Sequence, residues 1–187
     1  MRVRFQKYVE PLFALFFIMS VGAVVHEVDW LENTLGGLTL FWIAFTAGAL
    51  LGMAAATAFA YARHELLSGM SGPVLRSLIF IGGMTVATGL SSAAMASLLN
   101  RTYVGEAHTL TVKIKDKFYG RGQAQKPRLV IEIDTGVKEH IHVDRPFWNS
   151  VAAGEKVELT LCRGTLGYDV LRIGSIQRAA VPAISIS

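Results

Sequence analysis

A short stretch near residue 140 carries side chains of the types that bind metals. In the segment HIHVD, His140, His142 and Asp144 each lie two residues apart. Side chains alternate between the faces of a strand, so these three would share one face while Ile141 and Val143 point to the core. Two imidazoles and a carboxylate suit a divalent transition metal. Same-face neighbours stand about 7 Å apart along a strand, so a solvated, histidine-rich strand face is the competing hypothesis.

The segment that follows, RPFWNS, offers residues that could bind a protein partner. Phe147 and Trp148 stand beside Arg145 and Pro146. Large aromatic side chains and arginine contribute most of the binding energy in many protein interfaces. We expect Phe147 to plug the end of a β structure, and we take Trp148 and Arg145 as candidate partner-binding residues.

The sequence contains none of the common catalytic motifs. It has no GxSxG, no HExxH, no Walker loop and no GxGxxG after a predicted strand. Catalysis needs a nucleophile, a base and an electrophile that converge in a pocket, and no such trio stands out. We therefore predict a binding protein and not an enzyme, with no cofactor other than the divalent metal that the histidine-rich stretch could hold.

Charge is distributed unevenly along the chain. The 187 residues are 52% hydrophobic and 17% charged, whereas soluble domains carry about 25% charged residues. Residues 11–99 hold few charged side chains, and residues 100–178 have the composition of a soluble domain. We predict a transmembrane region over residues 1–100, an extracytoplasmic β-domain over residues 101–178 and a loose tail over residues 179–187.

Three apolar segments are long enough to cross a membrane as helices, namely residues 9–25, 38–62 and 77–99. The first could instead be a cleaved signal peptide, because basic residues precede it and Val21, Gly22 and Ala23 resemble a cleavage site. We predict that this segment is an uncleaved anchor, which gives the chain three crossings.

The basic residues that flank these segments predict the orientation. Three of them precede the first segment and two, Arg63 and Arg76, lie in the second loop, whereas the first loop contains neither Lys nor Arg. Loops rich in Lys and Arg remain in the cytoplasm. We therefore expect a bacterial inner-membrane protein with a cytoplasmic N-terminus and a periplasmic C-terminal domain. Arg101 and Lys113 on the outer side weaken this expectation, although folded domains cross largely regardless of charge.

Small residues recur every fourth position along the second apolar segment, and two more mark the third. They are Ala44, Gly48, Gly52, Ala56 and Ala60, with Gly89 and Ala93. Close approach of helix backbones at small residues is what holds helices together in a bilayer. The pattern predicts packing of the second helix on the third within one chain; the alternative is self-association or docking on a larger membrane protein.

From about residue 106 the hydrophobic period changes from 3.6 to 2, which indicates β-strands. Five short antiparallel strands are expected, with a turn or single helical turn over residues 145–156. These strands cover residues 108–119, 128–134, 137–144, 157–161 and 170–177. The predicted fold class is membrane α plus β, in which three transmembrane helices precede a closed or nearly closed barrel of the OB or SH3-like kind.

These features predict a protein that acts by contact. Its partners would be the lipid bilayer and a membrane or periplasmic protein, or a second copy, and its role that of an accessory or assembly subunit or a toxin-neutralising immunity-type protein. The net charge of +4 fits membrane topology better than nucleic-acid binding, because basic and aromatic residues do not alternate. The alternatives are a metal-responsive or metal-handling membrane protein and a small channel-like oligomer.

Overall fold

The computed structural model of the chain describes residues 2–62, 73–102, 104–119, 126–133, 136–172 and 176–178. Three long helices come first: α1 (Arg2–Glu32), α2 (Gly37–Ala62) and α3 (Pro73–Thr102). Each contains a stretch apolar and long enough to cross a membrane. The three predicted helices are therefore confirmed. Residues 63–72 of the second loop, most of the loop over residues 120–127 and the predicted tail over residues 179–187 lie outside the described residues, whereas Arg76, expected in the second loop, belongs to α3.

Helix α1 is longer at both ends than its apolar segment. It begins at Arg2, so Pro11 lies inside the helix and not in its first turn, and it ends at Glu32. The residues HEVDWLE, which the sequence analysis placed in the first loop, therefore belong to α1. The connection from α1 to α2 is thus limited to residues 33–36.

Contacts divide the chain into two units. The helical unit consists of Met1–Val28 and Leu38–Leu98, and the β unit consists of Asp29–Gly37 and Leu99–Ser187. The short connection between α1 and α2 therefore belongs to the β unit, although the sequence-based boundary near residue 100 placed it with the helices.

Small residues of α2 lie directly against α3. A Cβ atom added at Gly48 would collide with Ser92, and one added at Gly52 would collide with Thr88. Ala56 on the same face is buried, and Gly89 on α3 has the ring of Phe45 within contact distance. The predicted small-residue face thus lies between two helices of one chain. Ala44 and Ala60 are half-buried on the same helix.

The other face of α3 packs on α1. The hydroxyls of Ser20 and Ser91 are hydrogen-bonded at 2.8 Å, and a Cβ atom at Gly83 would collide with the ring of Phe13. Near the ends of both helices, Ser97 donates to the buried carboxylate of Glu27 at 2.9 Å. Helix α3 therefore packs on α2 through one face and on α1 through another, within one chain.

Replacement of Gly52 by leucine is expected to separate α2 from α3 and to destabilise the helical unit by about 1 kcal/mol or more, because overpacking forces the backbones apart. Two quantities are measured for the full chain in detergent: its thermal unfolding and its mass, which gives the oligomeric state. Gly82→Leu is the matched control, since a Cβ atom at Gly82 has no neighbour within 4 Å. Equal stability of the two variants would contradict the packing, and loss of a wild-type oligomer in Gly52→Leu would instead support self-association.

The β unit is built on one antiparallel sheet. Its strands are β1 (Val104–Tyr119), β2 (Pro127–Glu132), β3 (Lys138–His142), β4 (Lys156–Gly164), β5 (Asp169–Leu171) and β6 (Gln177–Arg178). The first five pair in the order β3-β2-β1-β4-β5, and the two-residue β6 pairs with β4. A single short helix, α4 (Arg145–Ser150), follows β3, where a helical turn was expected.

The sheet is curled into a half-barrel and not into a closed barrel. Within the described residues β3 and β5 are the two ends of the strand order and do not pair with each other. The inner face buries alternate residues of each strand, as the period of two predicted. The core consists of Val112, Ile114, Leu129, Ile131, Ile141, Val143, Val151, Val157, Leu159, Leu161 and Leu171.

Candidate interaction site

Residues from the α1–α2 connection bridge the two ends of the half-barrel. The buried side chain of Asn33 accepts a hydrogen bond through Oδ1 from the N–H of His142 in β3, at 3.1 Å. The carbonyl of the same residue accepts from the N–H of Leu171 in β5, at 2.8 Å. One residue thus contacts both strands that the sheet leaves unpaired. We call residues 33–36 the closure segment.

Backbone contacts hold the rest of the closure segment along β5 and β3. Thr34 forms a β-bridge with Val170, and the N–H of Leu35 donates to the carbonyl of Asp169 at 2.8 Å. On the β3 side, Glu139 accepts from the N–H of Gly36 at 3.1 Å. Polar backbone groups that would otherwise be unpaired in the gap are therefore satisfied.

Ion pairs fasten the end of α1 to the start of β2. Lys126 lies 2.5 Å from a carboxylate oxygen of Asp29, and Arg128 lies 2.6 Å from one of Glu32. The second pair is about three-quarters buried on both sides, so solvent screens it less than a fully exposed pair.

A buried asparagine at the end of α3 organises the turn between β4 and β5. Asn100 is 1% exposed. Its Nδ2 donates to the carbonyl of Tyr168 at 3.0 Å, and its Oδ1 accepts from the N–H of Leu166 at 3.1 Å. Gly164 lies so close that a Cβ atom there would collide with Asn100. Residues that join a helix to a distant turn carry no local sequence signal, so neither Asn100 nor Asn33 was singled out.

In the histidine-rich stretch, His140, His142 and Asp144 each contact a different group. The ring of His140 lies against Phe118, and Nδ1 of His142 is 3.0 Å from the carbonyl of Pro127. Asp144 caps α4 by accepting from the N–H of Phe147. Among the described residues, no three or more His, Cys, Asp or Glu side chains lie together in a position to hold a metal. Metal binding by these residues stays a prediction.

The two candidate partner-binding residues differ in their surroundings. Trp148 is half-buried: its indole N–H donates to the carbonyl of Arg128 at 3.3 Å, and Lys117 lies over its ring at 4.1 Å. Tyr119 packs on the same ring with centroids 4.5 Å apart. Arg145, in contrast, is exposed. Phe147 packs against the core, as expected.

The first half of β1 has an edge with which no described strand pairs. β4 pairs with β1 from Val104 to Lys113, whereas β2 pairs with it only from Lys113 onward. The N–H of Ile114 donates toward β4, and backbone groups alternate in direction along an antiparallel strand. The N–H and C=O groups of Ala107, Thr109 and Thr111 therefore point away from β4, into this open edge (residues 107–111).

One carboxylate of the β unit has a perturbed affinity for protons. Lys115 lies 2.7 Å from Glu132, and this hydrogen-bonded ion pair lowers the pKa of Glu132. A carboxyl group whose pKa is lowered in the folded protein stabilises the fold at pH values above its ordinary pKa. This stabilisation is lost as the pH falls through the lowered pKa. The pair joins β1 to β2 near the surface, where solvent screens it.

Comparison with models of protein families, with curated proteins and with solved structures finds no match to this chain.

Proposed function

We propose that the protein is a non-catalytic membrane protein that binds another protein through its β unit. The observation that carries the proposal is the open edge of β1. Natural proteins usually protect such an edge with lysine, proline or a covering segment, because unpaired backbone groups recruit other strands. Residues 107–111 read AHTLT, with neither lysine nor proline, and all but the half-buried Leu110 are exposed.

The partner would be an extended segment of a membrane or periplasmic protein that adds a strand to this edge. Strand addition takes its affinity from main-chain hydrogen bonds and its specificity from alternate side chains. An accessory subunit, an assembly factor or an immunity-type protein that masks a toxin could each use this mode. A second copy of the chain is the other occupant that strand pairing allows.

For the β unit we favour the OB-like over the SH3-like form. Its five main strands form a partly open barrel in which β1 pairs with both β2 and β4, as in a five-stranded Greek-key barrel. This similarity is one of shape alone, and it does not indicate a function. We further propose that the chain lies in a bacterial inner membrane with its N-terminus in the cytoplasm and its β unit outside, because the basic residues flank the predicted cytoplasmic ends.

Proline at position 109 is expected to abolish partner binding. The Thr109 N–H points into the open edge, so its removal costs the β1–β4 ladder no hydrogen bond but blocks one to an added strand. The measurement is affinity capture of tagged full-length chain from native membranes after crosslinking, with identification of the captured proteins. Thr109→Val is the matched control, because it changes the same side chain and keeps the N–H.

The proposal requires one protein that is recovered with the wild type and with Thr109→Val and is lost with Thr109→Pro. Recovery of that protein with all three variants would overturn strand addition at this edge. Recovery of a second, differently tagged copy of the chain with the same pattern would identify the partner as the protein itself.

A further inference from the structure

A hollow with lysines in its wall lies at the end of the open edge of β1. Its volume is about 570 Å³. Its wall includes Thr111 and Lys113 of β1, Glu132 at the end of β2 and Lys156 at the start of β4. The turn that follows β2 forms another part of the wall. The main-chain groups of the open edge therefore lead directly into this hollow.

The two lysines of the hollow stand directly opposite each other. Lys113 pairs with Lys156 in the register of β1 and β4, and both side chains are exposed. Like charges opposite each other on neighbouring strands are destabilising. Neither lysine forms an ion pair with a described residue, and Glu132 is already hydrogen-bonded to Lys115 at 2.7 Å. A carboxylate placed beside the two lysines would therefore relieve their repulsion.

The other charged groups around the hollow leave it positive. Lys138, exposed on β3, adds its charge to those that lower the pKa of Glu132. Glu158, on the outward face of β4, is half-buried and lies opposite Thr111. Among the described residues around the hollow, lysines thus outnumber carboxylates by four to two, and one of the two carboxylates is already paired. Such a surface favours a ligand with negative charge.

Strand β2 fixes where an added strand must end. It occupies the same side of β1 from Tyr119 to Lys113, and its own last residue is Glu132. A strand that pairs with residues 107–111 is therefore in line with β2, and it must stop before Glu132 because two chains cannot fill the same edge. The terminal residues of the added strand then lie at the hollow, beside Lys113.

We infer that the segment which adds to the open edge is acidic at the end nearest β2, where its carboxylates bind Lys113 and Lys156. The inference rests on the proposed strand addition and names the chemistry of the partner. Main-chain hydrogen bonds give affinity for any extended segment, whereas opposite charge selects an acidic one and speeds its encounter. The chain itself has a net charge of +4, so an acidic segment of another protein suits the hollow better than a second copy does.

The test uses labelled synthetic peptides and the full-length protein in uncharged detergent. Each peptide has a core of alternating Thr and Val, with a pair of Glu, Gln or Lys at one end. The pair is placed at either terminus, since the edge accepts a strand in either direction. Fluorescence anisotropy gives the Kd. In one of the two orders, the acidic peptide should bind about tenfold more tightly than the neutral one, because each exposed ion pair contributes about two- to fivefold.

Charge-changing variants locate the effect. The double variant Lys113→Gln with Lys156→Gln should lose the preference for the acidic over the neutral peptide. Arg163→Gln is the matched control and should keep the preference, because Arg163 is exposed on β4 outside the wall of the hollow. Replacement of both lysines by glutamate should reverse the preference, so that the basic peptide binds more tightly than the acidic one.

Strand addition and the acidic preference can fail separately. If the neutral peptide binds the wild type and Thr109→Val but not Thr109→Pro, and acidic ends add nothing, strand addition holds and this inference is overturned; the lysines then serve to protect the edge. If the acidic peptide binds Thr109→Pro as tightly as the wild type, the lysines attract any anion, a lipid surface included, and both proposals fail.

Two further outcomes also count against the inference. A preference that survives in the double glutamine variant, or that is lost equally in Arg163→Gln, would show that the hollow does not select the acidic end. Failure of every peptide to bind the wild type would overturn the acidic segment together with strand addition.

Discussion

Alanine at position 100 is expected to destabilise the β4–β5 turn by about 2–4 kcal/mol. The substitution removes two hydrogen bonds of a fully buried side chain, each contributing about 1 kcal/mol, and leaves a cavity that adds a further cost. Hydrogen exchange of the full chain in detergent reports the effect, and amides of the turn over residues 164–168 should exchange about 30- to 900-fold faster.

The same contact can be tested from the opposite side. Gly164→Ala should destabilise the turn as well, because its Cβ atom would collide with the backbone and side chain of Asn100. Gly105→Ala is the control, since a Cβ atom there meets only ordinary contacts of 3.4 Å or more. If Gly164→Ala and Gly105→Ala behave alike, Asn100 does not pack against the turn.

Alanine at position 33 is expected to loosen the closure of the half-barrel by about 1–3 kcal/mol, because the N–H of His142 loses its acceptor in a buried setting. The amide of His142 should then exchange about 5- to 150-fold faster. The amide of Leu171 should respond less, since its acceptor is the backbone carbonyl of residue 33, which the substitution retains.

Asn149→Ala serves as the control for position 33, because Asn149 is exposed on α4. The pattern across the two strands is decisive. Unchanged exchange at His142 would show that the Asn33 side chain does not bridge to β3. Equal acceleration at His142 and Leu171 would show that the whole closure segment detaches and not one hydrogen bond.

The sequence was sufficient to predict what depends on local pattern. Apolar length identified the three helices, and alternation in segments such as Val157 to Leu161 identified strands and their inward faces, because burial in a sheet follows the period of two. The predicted fifth strand was only partly correct, since the structure forms β5 over Asp169–Leu171 and β6 over Gln177–Arg178. A bulge in β1 between Ile114 and Asp116 also left no signal in the hydrophobic pattern.

The features on which the proposals rest could not be predicted in this way. Asn33 and Asn100 act through partners far along the chain, and the identity of a polar residue does not reveal a distant acceptor or donor. The open edge of β1 depends on where β2 begins to pair, which is a property of register. For the histidine-rich stretch, face alternation was predicted correctly, as Ile141 and Val143 are buried, but the neighbour of each side chain was not.

The closure segment has a consequence for how the protein is made. Asn33 is separated from His142 by 109 positions, which a ribosome takes on the order of 5–20 s to translate. Throughout that interval the α1–α2 connection has been synthesised but its hydrogen-bonding strands have not. We therefore expect the half-barrel to close only after β3 and β5 have been synthesised, well after the closure segment has left the ribosome.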